Sequence, residues 1–254
     1  MHSVEFEKKM SLPHRYGTAA AILLASSVLV ACAPAQPDEA FGKKVRAYLL
    51  EHPEVLIEAS AKLQEKQAAT AAAKGREALK QYRQAIERDP RDFVANPNGS
   101  VTVTEFFDYR CSYCKIATPE IIKLIQENPD VRFVFKDFVI FGQDSEAAAR
   151  LFLGAREQGR SLEFHKALMA EKSLDAAAAL RIAAALGLNV DKARKAGESA
   201  ATTQHLADTH SLAQALAIEG TPAFIIGDQI IPGADMNALN LAIANAKAAR
   251  LKAG

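Results

Sequence analysis

The sequence predicts an α/β domain on a partly parallel sheet, interrupted by a helical insertion and preceded by a helical extension. Three observations predict it. Strand alternation over 101–107 runs directly into helical periodicity over 114–127, and a second Val- and Phe-rich strand follows over 131–139. Residues 144–217 then contain almost no strand former, in alanine-rich amphipathic stretches such as 147–157 and 176–186. Strand character returns at 223–226, turns at Gly227-Asp228 and resumes over 229–231, the pattern of a tight hairpin, before a last helix over about 237–251.

Composition bounds the rest. A chain of 254 residues that is 49% hydrophobic can core one well-packed domain plus an extension. With 31 basic against 30 acidic residues, no net field draws it to polyanions, so no nucleic-acid partner is expected.

The N-terminal segment carries Lys8, Lys9, His14 and Arg15 ahead of the apolar run 17–31, which has the form of an export signal. That run falls short of the roughly 18 to 20 apolar residues a spanning helix needs. Leu29-Val30-Ala31-Cys32 resembles a bacterial lipoprotein processing box, which would lipidate Cys32; the alternative is cleavage after Ala33-Pro34-Ala35. Residues 1–35 are therefore read as an export signal, with a periplasmic destination either way and a membrane anchor if Cys32 is lipidated.

Residues 36–90 are rich in helix formers, with Phe41, Val45, Leu49, Leu56 and Leu63 at helical spacing and a break near His52-Pro53. Beyond Gln64 the face is mainly alanine, and Gly75 interrupts it before Leu79, Tyr82 and Ile86 resume the period; this stretch reads as a stalk or linker. Asp89-Pro90 and Asn96-Pro97-Asn98-Gly99-Ser100 are turn chemistry, which sets the start of a compact domain at 91–254.

Cys111 and Cys114 are the only cysteines besides Cys32, so no structural disulfide framework can be built. In an oxidising compartment such an adjacent pair is a working couple, since a bridge closing so small a loop restrains little of the unfolded chain. The string Glu105-Phe106-Phe107-Asp108-Tyr109-Arg110-Cys111-Ser112-Tyr113-Cys114 places C-x-x-C where a strand enters a helix. Open N–H groups and the positive end of the helix dipole stabilise a thiolate there, making Cys111 the attacking group and Cys114 the resolving one. A zinc reading would add His205 and His210, but their distance in sequence from Cys114 far exceeds the roughly 12 to 15 residues of a zinc finger. Glu105 shares the apolar side of its strand with Val101, Val103 and Phe107, so a carboxyl there needs either a proton-relay role or a buried partner. Asp108 and Arg110 read as loop residues, the latter placed to favour a thiolate.

These residues resemble the DsbA-like branch of the thioredoxin superfamily, from about Ser100 to the C-terminus. The resemblance implies a thioredoxin fold with a helical insertion. Pro119 matches the proline that kinks the active-site helix, and Gly220-Thr221-Pro222 resembles the cis-proline loop whose backbone presents substrate to the cysteines. Glu105 matches the position of the family's acid, and Lys136 resembles that acid's basic partner. Ser112-Tyr113 departs from the Pro-His of the strongest oxidases, which implies a less strongly stabilised thiolate. Phe41 to Leu63 is similar to the N-terminal region of ScsC and Com1-type proteins, which implies self-association through residues 41–63.

The expected activity is thiol-disulfide oxidoreduction, as a disulfide isomerase or oxidase. Cys111 attacks, Cys114 resolves, Glu105 relays protons, and Thr221 with Pro222 presents the substrate. Its expected partners are exported cysteine-containing proteins and a membrane redox protein, and no cofactor is called for. Two other readings stay open: Cu(I) held by both thiolates, as soft ligands favour, and a non-catalytic helical chaperone or scaffold.

Overall fold

The computed structural model describes residues 38–253; the leader, Cys32 and the alternative cleavage site lie outside the described residues. The chain divides into two compact units between Glu58 and Ala59. In the first, helix α1 (Glu39–Glu51) starts where the Asp38 carboxylate accepts from the N–H groups of Ala40 and Phe41, satisfying two donors a helix start leaves open. It ends at His52, and α2 (Glu54–Gln81) begins just after Pro53, at the expected break. Gly75 lies inside an unbroken α2.

The second unit takes in more of the chain than the turn signals implied. Leu79 and Ile86 are buried with Phe106, Phe138, Leu212 and Ile225 in a core cluster. The expected stalk is therefore, in its last part, one layer of the domain. Its short helix α3 (Arg83–Glu87) is fastened by the sheet. The Ala85 carbonyl accepts from Lys136 Nζ at 2.6 Å, the Ile86 carbonyl from Thr104 Oγ1 at 3.2 Å, and the Glu87 carbonyl from Arg132. Carbonyls that a helix end leaves unpaired thus become its attachment to the strands.

Five strands form one sheet in the order β1-β3-β2-β4-β5. They are β1 (Phe93–Ala95), β2 (Val101–Phe107), β3 (Val131–Asp137), β4 (Ala223–Ile226) and β5 (Gln229–Pro232). Strands β2 and β3 run parallel through the crossover helix α4 (Ser112–Glu127), and the remaining pairs are antiparallel. Strand β1, three residues among turn chemistry, was not expected. It is held by pairing with β3 and by Phe93, whose ring stacks on Phe135 at a centroid distance of 5.2 Å.

Helices α5 (Gln143–Ala155), α6 (Ser161–Ala170), α7 (Ala176–Ala185), α8 (Val190–Gly197) and α9 (Ala200–Ala215) form the predicted insertion, and α10 (Met236–Ala253) closes the domain. Helices α5 and α8 touch backbone to backbone. A Cβ at Gly154 would strike the Ala193 carbonyl, and one at Gly197 would strike that of Arg150. Among the described residues no helix is long and apolar enough to cross a membrane.

Because Ile86 is 1% exposed, Ile86→Ala should lower stability by about 2–5 kcal/mol in urea unfolding. An unchanged midpoint would mean that α3 is not part of the cooperative unit.

Candidate active site

The site grows out of the end of β2. Residues 108–110 turn the chain, and Cys111 becomes the N-cap of α4, its Sγ accepting from the Cys114 N–H at 3.4 Å. From the other side the Sγ donates to the Thr221 carbonyl at 3.2 Å. The Thr221-Pro222 peptide is cis, as expected for this loop. Cys111, Cys114 and the Thr221-Pro222 loop, distant in sequence, therefore meet at one point. Both cysteines are unbridged and buried, Cys114 completely. Pro119 lies within α4 as expected.

Glu105 lies beneath them. Its β2 position pairs with Phe135 on β3 and Phe224 on β4, it is 2% exposed, and neither carboxylate oxygen has a hydrogen-bond partner. Burial alone pushes its pKa up to about 8. Burial first, and then the charge of Glu105, hold the Cys114 thiol far above the ordinary thiol range. The two groups face each other through their charges.

The expected Glu105–Lys136 pairing does not form. In the β2–β3 register Lys136 lies opposite Phe106, one residue away from the Glu105–Phe135 pair, so it points to the other face of the sheet. There it forms an ion pair with Asp92 at 2.6 Å, and His205 Nε2 sits 3.2 Å from the other Asp92 oxygen. Asp89, Asp92 and His205 make the only group among the described residues spaced to hold a metal ion, within 4.8 Å of one another, and it contains no cysteine. The zinc alternative that joined the cysteines to His205 and His210 thus has no geometric basis. Lys136 on Asp92 and Arg91 on Asp89 already supply cations there, which identifies a buried ion network. His210 is exposed against the Phe138 ring.

Asp108 is the residue that sequence reasoning undervalued. It is 2% exposed, and its Oδ1 accepts from Arg110 N at 2.7 Å and Ser145 Oγ at 2.6 Å. Its Oδ2 accepts from the N–H groups of Ile140 and Phe141 at 2.9 and 3.1 Å, while its carbonyl accepts from Cys111 N. One carboxylate thus ties the cysteine loop to the segment after β3 and to the start of α5. The available signal was an aspartate at a strand end, whose side chain can accept from the backbone N–H two residues on in an Asx-turn. Around the cysteines the surface is apolar and open. Tyr113 is 66% and Ile116 70% exposed on α4, with Ile140 and Phe141 also exposed on the segment that Asp108 holds.

A family model described as DSBA-like thioredoxin domain matches residues 102–243, and one described as Copper resistance protein ScsC N-terminal domain matches residues 39–70. A thioredoxin-like oxidoreductase from Silicibacter pomeroyi is 39% identical over 65% of this chain and 97% of its own, with a TM-score of 0.62. Salmonella enterica Typhimurium BcfH is 31% identical over 82% and 95%, with a TM-score of 0.67. A linker-deleted Proteus mirabilis ScsC variant is 26% identical over 86% and 99%, with a TM-score of 0.64. A curated relative, Na(+)/H(+) antiporter NhaA 3 of Salinispora tropica, is 32% identical over 65% of this chain. The chain spans about a quarter of the length of the curated relatives it matches, 26% for that one.

The Glu105 environment fixes a pH dependence. In the unfolded chain Glu105 ionises near the ordinary carboxyl value, whereas in the folded protein it keeps its proton up to about pH 8. The folded state therefore binds more protons between these values, and stability falls as pH rises from about 4.5 to about 8, by an amount on the order of a few kcal/mol. Urea unfolding at pH 5 and pH 8 should show that fall in the parent and a smaller one in Glu105→Gln, where buried Asp137, whose carboxyl burial also holds well above its ordinary value, still contributes; equal falls would remove Glu105 as a cause.

Proposed function

This chain belongs to the DSBA-like thioredoxin domain family, and we propose that it is an extracytoplasmic thiol-disulfide oxidoreductase that rearranges or introduces disulfides in exported proteins. The carrying observation is the junction of Cys111 Sγ, the N-terminal N–H groups of α4 and the Thr221 carbonyl beside a cis proline. Cys111 as thiolate attacks a substrate sulfur, the substrate S–S bond breaks, and the departing sulfur leaves as thiolate. Cys114 then attacks Cys111 Sγ, releasing the second substrate sulfur and closing the two-cysteine bridge. To do so it must lose a proton inside the domain, and Glu105 is the ionisable group placed to take it. Thr221 and Pro222 present backbone to the substrate chain. The exposed Tyr113, Ile116, Ile140 and Phe141 give an unfolded or misfolded partner apolar surface to settle on.

A periplasmic location rests on the export-type leader and on the similarity to proteins such as a periplasmic thioredoxin-like protein of Salmonella enterica, 26% identical over 66% of this chain. Lipidation of Cys32 would anchor the protein, and a membrane redox partner would reset the couple. Homo-oligomerisation through residues 41–63 is supported by Phe41, Tyr48, Leu56, Ile57 and Leu63, each more than half exposed along α1 and α2. Several catalytic units held in one assembly would suit isomerisation, because a substrate released by one cysteine pair meets another at high effective concentration.

The test is refolding of scrambled ribonuclease by the chain 36–254, by a version beginning at Ala59 and by cysteine variants. The cut at 59 is required because Leu79 and Ile86 belong to the catalytic core. Cys111→Ser should abolish repair, and Cys114→Ala should accumulate mixed disulfides at Cys111. Loss of repair together with loss of oligomer in the shortened chain supports isomerase action. Retained repair with a reduction potential near the roughly −120 mV of strong oxidants would make it a disulfide donor. Activity that survives Cys111→Ser would leave the scaffold reading instead.

A further inference from the structure

Arg110 and Lys115, which flank the cysteine segment, help line a polar concavity of about 330 Å3 that the exchange chemistry does not use. Its walls carry three cations, Arg110, Lys115 and Lys172, with Asp144 and Asp175. Arg110 precedes Cys111 in the chain, and the Lys115 N–H donates to the Cys111 carbonyl at 3.1 Å, so two of the lining residues are tied directly to the cysteine segment. The acidic residues are already engaged. Asp175 caps α7, accepting from the Ala178 N–H at 2.6 Å, and Asp144 pairs with Arg110 at 3.2 Å. Lys115, half-buried, donates to the Glu171 carbonyl and forms no ion pair among the described residues; burial lowers its pKa, with the charges of Glu171 and Asp108 only partly opposing that fall. Lys172 is exposed and forms no ion pair among the described residues. Two cations outside any ion pair among the described residues therefore line one concave polar site.

We propose that this pocket is a carboxylate-binding subsite, taking an acidic group of the disulfide partner while Cys111 reacts with its sulfur. The proposal rests on the oxidoreductase reading above. The reaction is unchanged in its atoms: Cys111 thiolate bonds to one partner sulfur, the partner S–S bond breaks, and the other sulfur leaves as thiolate. The subsite adds a charge-assisted contact that holds the partner near the attack position. The carboxylate can come from glutathione or from an Asp or Glu side chain near a substrate cysteine; the chemistry is the same.

The experiment compares rates of the reduced full chain with three small disulfides: anionic glutathione disulfide, neutral hydroxyethyl disulfide and cationic cystamine. In Lys172→Glu the ratio of glutathione disulfide to hydroxyethyl disulfide rates should fall about tenfold and the cystamine ratio should rise, with Lys172→Gln intermediate and both effects weakened in high salt. Lys195→Glu, an exposed charge reversal on α8, should leave the ratios near parent values. Peptide disulfides carrying Asp or Asn beside the cysteine, with amidated ends, separate the sources. Preference for Asp that disappears in Lys172→Glu extends the subsite to protein side chains, whereas no Asp preference restricts it to glutathione. Ratios unmoved by Lys172→Glu, or moved equally by Lys195→Glu, overturn the subsite in favour of no binding or of long-range steering. Failure of the parent to react with any of the three disulfides would overturn the oxidoreductase reading itself.

Discussion

The buried carboxylate of Asp108 is the constraint on which the site depends. A strand that ends beneath a helix must turn sharply, and the turn leaves backbone donors pointing inward. Asp108 collects them: its own loop through Arg110, the segment after β3 through Ile140 and Phe141, and α5 through Ser145. Each bond to a charged acceptor is stronger than a neutral one, and a desolvated carboxylate without them would be costly. Three elements are thereby fixed to a common point, and the cysteine that follows three residues later inherits their precision. Asp108 accepts from the N–H groups of Ile140 and Phe141, so the exposed apolar side chains there and the cysteine loop are positioned together.

The sheet separates two ways of burying charge. On the face toward α4, Glu105 is unpaired among Phe135, Phe224 and Cys114, where the neutral acid is the stable form. On the opposite face Lys136 and His205 each sit within ion-pair distance of Asp92. A paired carboxylate is a poor proton acceptor, whereas one kept near neutrality by burial changes state in the range where thiols exchange. The alternation of side chains along β3 produces this division. Had Lys136 fallen one position earlier, it would have neutralised Glu105 and left Asp92 uncompensated.

Much of this was legible in the sequence, for physical reasons that also mark the limits. Cys111 and Cys114 at a strand-to-helix junction, Thr221-Pro222 before a hairpin and Glu105 on an apolar strand side are local patterns whose meaning survives folding. The break at His52-Pro53 is local as well. Strand β1 was hidden because three residues carry no periodicity, and its stability comes from β3 and the Phe93–Phe135 stack. The burial of Leu79 and Ile86 was hidden because an apolar stripe does not say which surface covers it. The Lys136 error came from inferring a partner by family position without counting strand register, where one residue reverses the face.

Depth explains why two chemically identical thiols take different roles. Cys111 sits at the last turn before α4, where its Sγ touches a helix N–H on one side and the Thr221 carbonyl on the other. Of these backbone groups the N–H can stabilise developing negative charge on the sulfur, whereas the carbonyl accepts a bond from the protonated thiol. Cys114 is one turn deeper, with no exposure, and the negative charge of Glu105 opposes its ionisation. A thiolate at Cys114 and a carboxylate at Glu105 are therefore mutually unfavourable, so the pair favours holding a proton between them at neutral pH. In the proposed exchange that coupling would make release of a bound substrate conditional on Glu105 accepting the Cys114 proton, while the first attack would stay under backbone control. Cys111, at the start of α4, would therefore engage first in that exchange and Cys114, one turn deeper, would follow.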